Sequence, residues 1–140
     1  MSKVAIVYWS GTGNTEAMAH LVEEGAKSAG ATVELFTASE FSQDKMAEFD
    51  TVGFGCPSMG AEQLEESEFE PMFSALDIHG KKIALFGSYG WGDGEWMRTW
   101  EASCKDSGAI LVCDCVIANE APDDEASQAC KTLGAALANA

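Results

Sequence analysis

Val4-Ala5-Ile6-Val7-Tyr8-Trp9, running straight into Ser10-Gly11-Thr12-Gly13-Asn14-Thr15, is the stretch on which the fold turns. Six apolar or aromatic residues without alternation read as a strand buried on both faces, the kind found in the middle of a parallel sheet. After the glycine loop, Ala17, Met18, Leu21, Val22, Gly25, Ala26 and Ala29 recur at spacings of one, three and four. That period predicts an amphipathic helix over 14–29, with Gly30 where a C-terminal cap is needed.

The same alternation continues along the chain. Strands are predicted at Thr32–Thr37, Thr51–Cys56, Lys82–Gly87 and Ala109–Ala118. Between and after them lie a weak helical stretch at Gln43–Phe49 and helices at Glu68–Leu76, Glu95–Ser107 and Asp124–Asn139. The run Gly87-Ser88-Tyr89-Gly90-Trp91-Gly92-Asp93-Gly94 stops the fourth strand. Five strand-then-helix units predict an α/β fold, a doubly wound five-stranded parallel sheet with helices on both faces. Ligands of such sheets bind beyond the carboxyl ends of the strands, where the strand order reverses. The loops after strands one, three, four and five are therefore the ones to search.

The chain has 140 residues, 46% hydrophobic and 22% charged. That length suits one domain spanning 1–140, with no linker, repeat or low-complexity tract to divide it. Twenty-three acidic against eight basic residues give a formal charge of −15. Such a field repels nucleic acid and anionic lipid and steers the protein toward basic patches on other proteins. Cys56, Cys104, Cys113, Cys115 and Cys130 are odd in number and contain no Cys-x-x-Cys pair, which argues against a disulfide framework, zinc or an iron–sulfur cluster. Cys113 and Cys115 would share one strand face as buried free thiols. No leader precedes Lys3 and no apolar run nears the ~20 residues of a membrane span, so a soluble cytoplasmic protein without membrane insertion is expected. His20 and His79 read as surface or helix-face residues, not as a metal or catalytic pair.

The loop at 10–15 carries chemistry. Glycines bring backbone N–H groups close to a ligand, and a helix N-terminus favours an anion. Ser10, Thr12, Asn14 and Thr15 add side-chain donors. There is no Gly-Lys-Ser/Thr ending for a nucleoside triphosphate, and Glu16 stands where a dinucleotide fingerprint would have its third glycine. One terminal phosphate held by neutral donors fits.

Val7-Tyr8-Trp9-Ser10-Gly11-Thr12-Gly13-Asn14-Thr15-Glu16 resembles the N-terminal signature of the flavodoxins, and further matches follow in order. They are Gly55-Cys56-Pro57-Ser58-Met59-Gly60, Leu64-Glu65-Glu66-Ser67-Glu68-Phe69-Glu70-Pro71, and Leu85 to Gly94, closest to the short-chain members of anaerobic bacteria. The resemblance implies strand order 2-1-3-4-5, one non-covalent FMN, and binding residues at Ser10, Gly11, Thr12, Gly13, Asn14, Thr15, Pro57, Ser58, Met59, Gly60, Ala61, Glu62, Ser88, Tyr89, Gly90, Trp91, Gly92 and Asn119. Trp91, framed by Gly90 and Gly92, is the outer plate against the flavin ring, with Tyr89 helping to close that side. Met59 covers the inner face with a polarizable side chain. The resemblance also implies that the peptide at Gly60 flips on reduction so that its carbonyl accepts from the flavin N5–H, and that Glu62 anchors N3.

Ala61 departs from the Asn, Asp or Gly that a left-handed turn position prefers. If the reduced-state turn needs positive φ there, alanine costs the flipped state up to ~1 kcal/mol. A hydrogen bond made only when N5 is protonated favours the neutral semiquinone, while acidic residues oppose the anionic hydroquinone. Glu65, Glu66, Glu68 and Glu70 follow the flavin loop, and Glu120 lies beyond strand five. One charge at ~10 Å in an effective dielectric of ~40 contributes roughly 0.8 kcal/mol. The expected function is low-potential one-electron transfer, cycling between semiquinone and hydroquinone, by a monomeric carrier with no substrate turnover of its own and no metal. Redox enzymes with basic docking surfaces are its expected partners. An FMN-dependent two-electron reductase of the quinone reductase kind is the alternative. It needs room at the flavin face that Trp91 fills, and this chain has no second domain or long insertion. A phospho-receiver domain would need acidic residues where Trp9-Ser10 and Cys56-Pro57 stand.

Overall fold

Continuous apolar runs become strands wherever both of their faces can be covered. The computed structural model describes residues 2–59, 63–90 and 92–140. In β1 (Lys3–Tyr8) the residues Val4 to Val7 have no exposed surface at all. Then come α1 (Asn14–Ser28), β2 (Thr32–Thr37), a 3-10 turn at Ala38–Glu40, α2 (Gln43–Met46), β3 (Thr51–Gly55) and α3 (Phe69–Ser74). The chain continues through β4 (Lys82–Tyr89), α4 (Glu95–Asp106), β5 (Ile110–Leu111), β6 (Val116–Asn119) and α5 (Asp124–Asn139). All the strands pair in parallel, in the order β2-β1-β3-β4-β5, with β6 also against β4. This is the doubly wound α/β sheet that the sequence predicts.

Alternation along each strand divides the core in two. Ala5, Val7, Val52, Phe54, Ile83 and Leu85 face an aromatic layer that includes Phe36, Phe41, Phe69, Trp96 and Trp100. Val4, Ile6, Ala84 and Phe86 face Met18, Val22, Leu133 and Leu137 from α1 and α5. Trp96 and Trp100 are buried packing residues, as their four-residue spacing suggests. The α1–α5 contact has no side-chain padding at two points. A Cβ on Gly25 would lie 2.0 Å from the Lys131 carbonyl oxygen, and one on Gly134 would lie 2.0 Å from that of Val22. Backbone rests on backbone there, which only glycine permits.

The predicted fifth strand, Ala109–Ala118, is broken in two. Ile83 pairs with Leu111 and Phe86 with Val116, so two extra residues bulge out on the edge strand. An edge strand is paired on one side only and accommodates such a bulge without disturbing the sheet. The bulge separates the two cysteines expected to share a face. Cys113 packs beside α5 and Cys115 packs on the aromatic side; both are half-buried free thiols. At β4 the strand passes Gly87 and reaches Tyr89, because β6 pairs alongside it to Asn119.

Candidate functional site

The loops after β1, β3 and β4, with the residue after β6, meet at one edge of the sheet. Trp9, Ser10, Gly11, Thr12, Asn14, Thr15, Pro57, Ser58, Met59, Ser88, Tyr89, Gly90 and Glu120 line a single cleft there. Four of the residues expected at the flavin, Gly60, Ala61, Glu62 and Trp91, lie outside the described residues. Of the others, Gly13, Gly92 and Asn119 do not line the cleft. Gly13 is the residue preceding α1, with φ 94, and holds the turn into the helix from the left-handed region. The Asn119 side chain donates to the Tyr89 carbonyl at 3.3 Å.

The first loop is braced from within. Ser10, expected to donate toward a ligand, has its Oγ accepting from the N–H of Gly13 at 3.0 Å and of Glu16 at 3.3 Å. The N–H groups of Thr12, Asn14 and Thr15 have no acceptor among the described residues. Three donors at the positive end of α1 are thus left for an anion. Glu16 is the one carboxylate in this first turn, and its Oε2 accepts from the Tyr8 hydroxyl at 3.2 Å. Burial, together with that carboxylate, raises the Tyr8 phenol above its usual pKa. No lysine or arginine lines the cleft among the described residues.

Thr15 and Ser88 join the loops together. The buried Thr15 hydroxyl accepts from the Ser88 N–H at 3.4 Å, and Ser88 Oγ donates to the Glu120 carbonyl at 2.7 Å. Glu120 itself sits at φ 58, a left-handed conformation uncommon outside glycine, Asn and Asp. Its N–H donates to the Tyr89 carbonyl at 2.8 Å. On the opposite wall Ser58 N–H donates to the Ser88 carbonyl at 3.0 Å. Met59 and Gln63 exchange two backbone hydrogen bonds, at 2.8 and 3.1 Å, which hold these two residues side by side. Met59 is 37% exposed, so an apolar side chain faces open space at this wall.

Trp9 and Glu120 are lining residues that the sequence reading does not place among the binding groups. Trp9 stands directly before the glycine loop. Its ring covers Gly11 so closely that a Cβ there would lie 3.0 Å from it, and its Nε1 donates to Glu68 Oε2 at 3.1 Å. Only the position of Trp9 at the strand end signals this role.

Glu65 differs from its neighbours. Glu66, Glu68, Glu70 and Glu120 are exposed, but Glu65 is 6% exposed and turned inward. Its carboxylate accepts from the N–H groups of Ser67 at 2.8 Å, Glu68 at 2.7 Å and Phe69 at 2.9 Å, and from the Ser67 hydroxyl. Burial alone would raise its pKa. The Ser67 hydroxyl and these three N–H groups outweigh burial and hold it down at about 2. Glu65 therefore caps the start of α3, which corrects its place among solvated docking charges. Its own N–H donates to Cys56 Sγ at 3.4 Å, and burial pushes that thiol up to about 12.

Neutral N–H donors at a helix start suit a phosphate monoester, and the adjoining walls of Met59 and Tyr89 suit a flat, partly apolar ring. The residues fit. Among the described residues no group of His, Cys, Asp and Glu could hold a metal ion, and no helix is long and apolar enough to cross a membrane.

Comparison with known proteins agrees with this geometry. The flavodoxin family model matches residues 6–133. The chain is 49% identical to a flavodoxin of Megasphaera elsdenii over 139 residues, covering 98% of this chain and 99% of that protein. It is 47% identical to a flavodoxin of Clostridium beijerinckii over 136 residues, covering 96% and 98%. The solution structure of two-electron reduced Megasphaera elsdenii flavodoxin superposes with a TM-score of 0.91 at 50% identity, covering 98% of this chain and 99% of that one.

Proposed function

This chain belongs to the flavodoxin family, whose members bind FMN and transfer electrons, and we propose that it works as a low-potential one-electron carrier. In this reading the cofactor alternates mainly between its one-electron-reduced and fully reduced forms. The observation that carries it is the cleft where three loops converge, which among the described residues has unpaired backbone donors at one end and no cation in its lining. The N–H groups of Thr12, Asn14 and Thr15 hold the phosphate, while Ser10 keeps the loop in shape. Met59 and Tyr89 border the ring, with Trp91 as the outer plate and Gly60 to Glu62 as the segment that answers reduction. FMN supplies the redox chemistry, and the polypeptide tunes it.

Charge does the tuning and the docking. Glu120 lines the cleft, Glu68 accepts from the lining residue Trp9, and Glu66 and Glu70 stand exposed along the chain beyond Met59, within a chain of net charge −15. A carboxylate at ~10 Å would oppose a second negative charge on the cofactor by roughly 0.8 kcal/mol in an effective dielectric of ~40, before salt screening. These carboxylates also attract basic rims on partner enzymes, faster at low ionic strength. The protein acts as a monomer in the cytoplasm, without substrate turnover of its own.

Anaerobic stepwise reduction, followed by visible absorbance, tests this. A yellow protein that passes through a blue, long-wavelength species before bleaching is the expected result. Direct bleaching with no radical at redox equilibrium would move the protein to the two-electron reductases.

A further inference from the structure

We infer that Trp96 is a positioning residue for the cofactor: its indole N–H holds open one rung of the ladder between β3 and β4 and so sets the spacing of the cleft walls. The inference rests on FMN as the ligand of the cleft and is independent of how many electrons the protein moves. Trp96 is the second residue of α4, is 1% exposed, and is not among the residues that line the cleft.

The register of the sheet shows which bond is replaced. Gly55 pairs with Phe86, so Cys56 stands beside Gly87 and Ser58 beside Tyr89. In a parallel ladder such a residue donates to the carbonyl before its partner and accepts from the N–H after it. Cys56 N–H does donate to the Phe86 carbonyl, at 3.2 Å, and Ser58 N–H to the Ser88 carbonyl, at 3.0 Å. The rung between these two, from Ser88 N–H to the Cys56 carbonyl, is not made among the described residues. Ser88 N–H turns to the Thr15 hydroxyl at 3.4 Å, and the Cys56 carbonyl accepts from Trp96 Nε1 at 3.2 Å. Two long hydrogen bonds thus stand in place of one rung.

Gly87 makes the exchange possible. A Cβ there would lie 2.2 Å from the Cys56 oxygen and 3.2 Å from the Trp96 ring, so only glycine leaves the carbonyl free to meet the indole. A buried indole N–H needs an acceptor and a buried carbonyl needs a donor, and here each supplies the other. The arrangement reaches the cofactor site from three directions. Cys56 leads directly into Pro57, Ser58 and Met59 on one wall. The Trp96 ring rests against Tyr89 on the other, with ring centroids 5.5 Å apart. The released Ser88 N–H braces Thr15 at the start of α1, where the anion site lies. Without the indole N–H, the Cys56 carbonyl would take the Ser88 N–H, the rung would close, and Thr15 would lose its tie.

The test uses the oxidised, FMN-loaded protein labelled with carbon-13 and nitrogen-15, and reads scalar couplings across hydrogen bonds by NMR. The wild type should show a coupling from Trp96 Nε1 to the Cys56 carbonyl carbon and none from the Ser88 amide. Trp96→Phe keeps an aromatic ring and removes the donor. A Ser88–Cys56 coupling should then appear, and the FMN dissociation constant should rise about tenfold, the scale of one hydrogen bond. Gly87→Ala crowds the carbonyl while leaving the indole in place, and should make the same coupling appear. Trp100→Phe is the control, because Trp100 is 3% exposed on the same helix and its Nε1 has no acceptor among the described residues. It should leave Ser88 uncoupled to Cys56 and FMN affinity within about twofold of wild type, since no hydrogen bond is lost. A Ser88–Cys56 coupling already present in the wild type would overturn the proposal. So would its absence from both Trp96→Phe and Gly87→Ala, an unchanged FMN affinity in Trp96→Phe, or an equal loss of affinity in Trp100→Phe. All of these readings are taken on the oxidised protein, so the one-electron reading stands or falls separately on the coloured intermediate.

Discussion

Glu65→Gln removes the charge from the carboxyl group that caps α3 while keeping its size and one acceptor oxygen. The carboxylate accepts from three backbone N–H groups and one hydroxyl, which lowers its pKa from an ordinary 4.5 to about 2. A shift of that size corresponds to about 3 kcal/mol of folding stability. Because the folded-state value is the lower one, this stabilisation is complete above pH 4.5. It is lost as pH falls from there through 2. At pH 3 about 1 kcal/mol of it remains. Urea unfolding of wild type and variant, followed by far-ultraviolet dichroism, should therefore show a gap of about 3 kcal/mol at pH 7 that narrows to about 1 kcal/mol at pH 3. A gap below 1 kcal/mol at neutral pH, or one that does not narrow in acid, would refute the assignment of Glu65 as a charged cap.

Other expectations follow from the same structure. Gly25→Ala forces a Cβ onto the Lys131 carbonyl and should destabilise by about 1–3 kcal/mol in thermal unfolding; a change under 0.5 kcal/mol would mean that the helices separate freely. Cys56, Cys104 and Cys130 are buried with thiols pushed up to about 12 by burial, so at pH 8 each should react with a disulfide reagent about a thousandfold more slowly than in the unfolded chain. Fast labelling of Cys56 in the native protein would contradict the tie between its sulfur and Glu65. Ala61→Asn should raise the potential of the first electron by roughly 40 mV, about 1 kcal/mol on the scale of ~59 mV per tenfold for one electron. An unchanged potential would show that position 61 does not limit the turn.

Much of the architecture was legible because it rests on local period and composition. Val4 to Val7 could be placed inside a sheet since nothing polar interrupts them, and the glycine loop identified the ligand edge before any contact was known. The bulge between Leu111 and Val116 was not legible. Apolar residues on either side of it satisfy a strand pattern, and only the register against β4 shows two residues too many. The roles of Ser10 and Glu65 were hidden for a related reason. A serine in a phosphate loop reads as a donor whether it faces the ligand or braces the turn. In Glu65-Glu66-Ser67-Glu68 nothing in the letters says which acid turns inward. Trp9 reads as a strand end until its ring is found over Gly11.

The two sides of the sheet differ in how they can yield. On one, α1 and α5 touch through their main chains at Gly25 and Gly134, so neither helix can slide without breaking a hard contact. On the other, α3 and α4 meet through side-chain rings set edge to face, with no contact of main chain on main chain holding them. The molecule thus has a stiff flank and a compliant one, and the anion loop is mounted on the stiff flank. Hydrogen exchange should reflect that division, with amides of α1 and α5 the slowest to open and those of α3 giving way first. The phosphate loop is therefore mounted on the helix pair whose main chains meet directly, on the face of the sheet away from the edge-to-face rings.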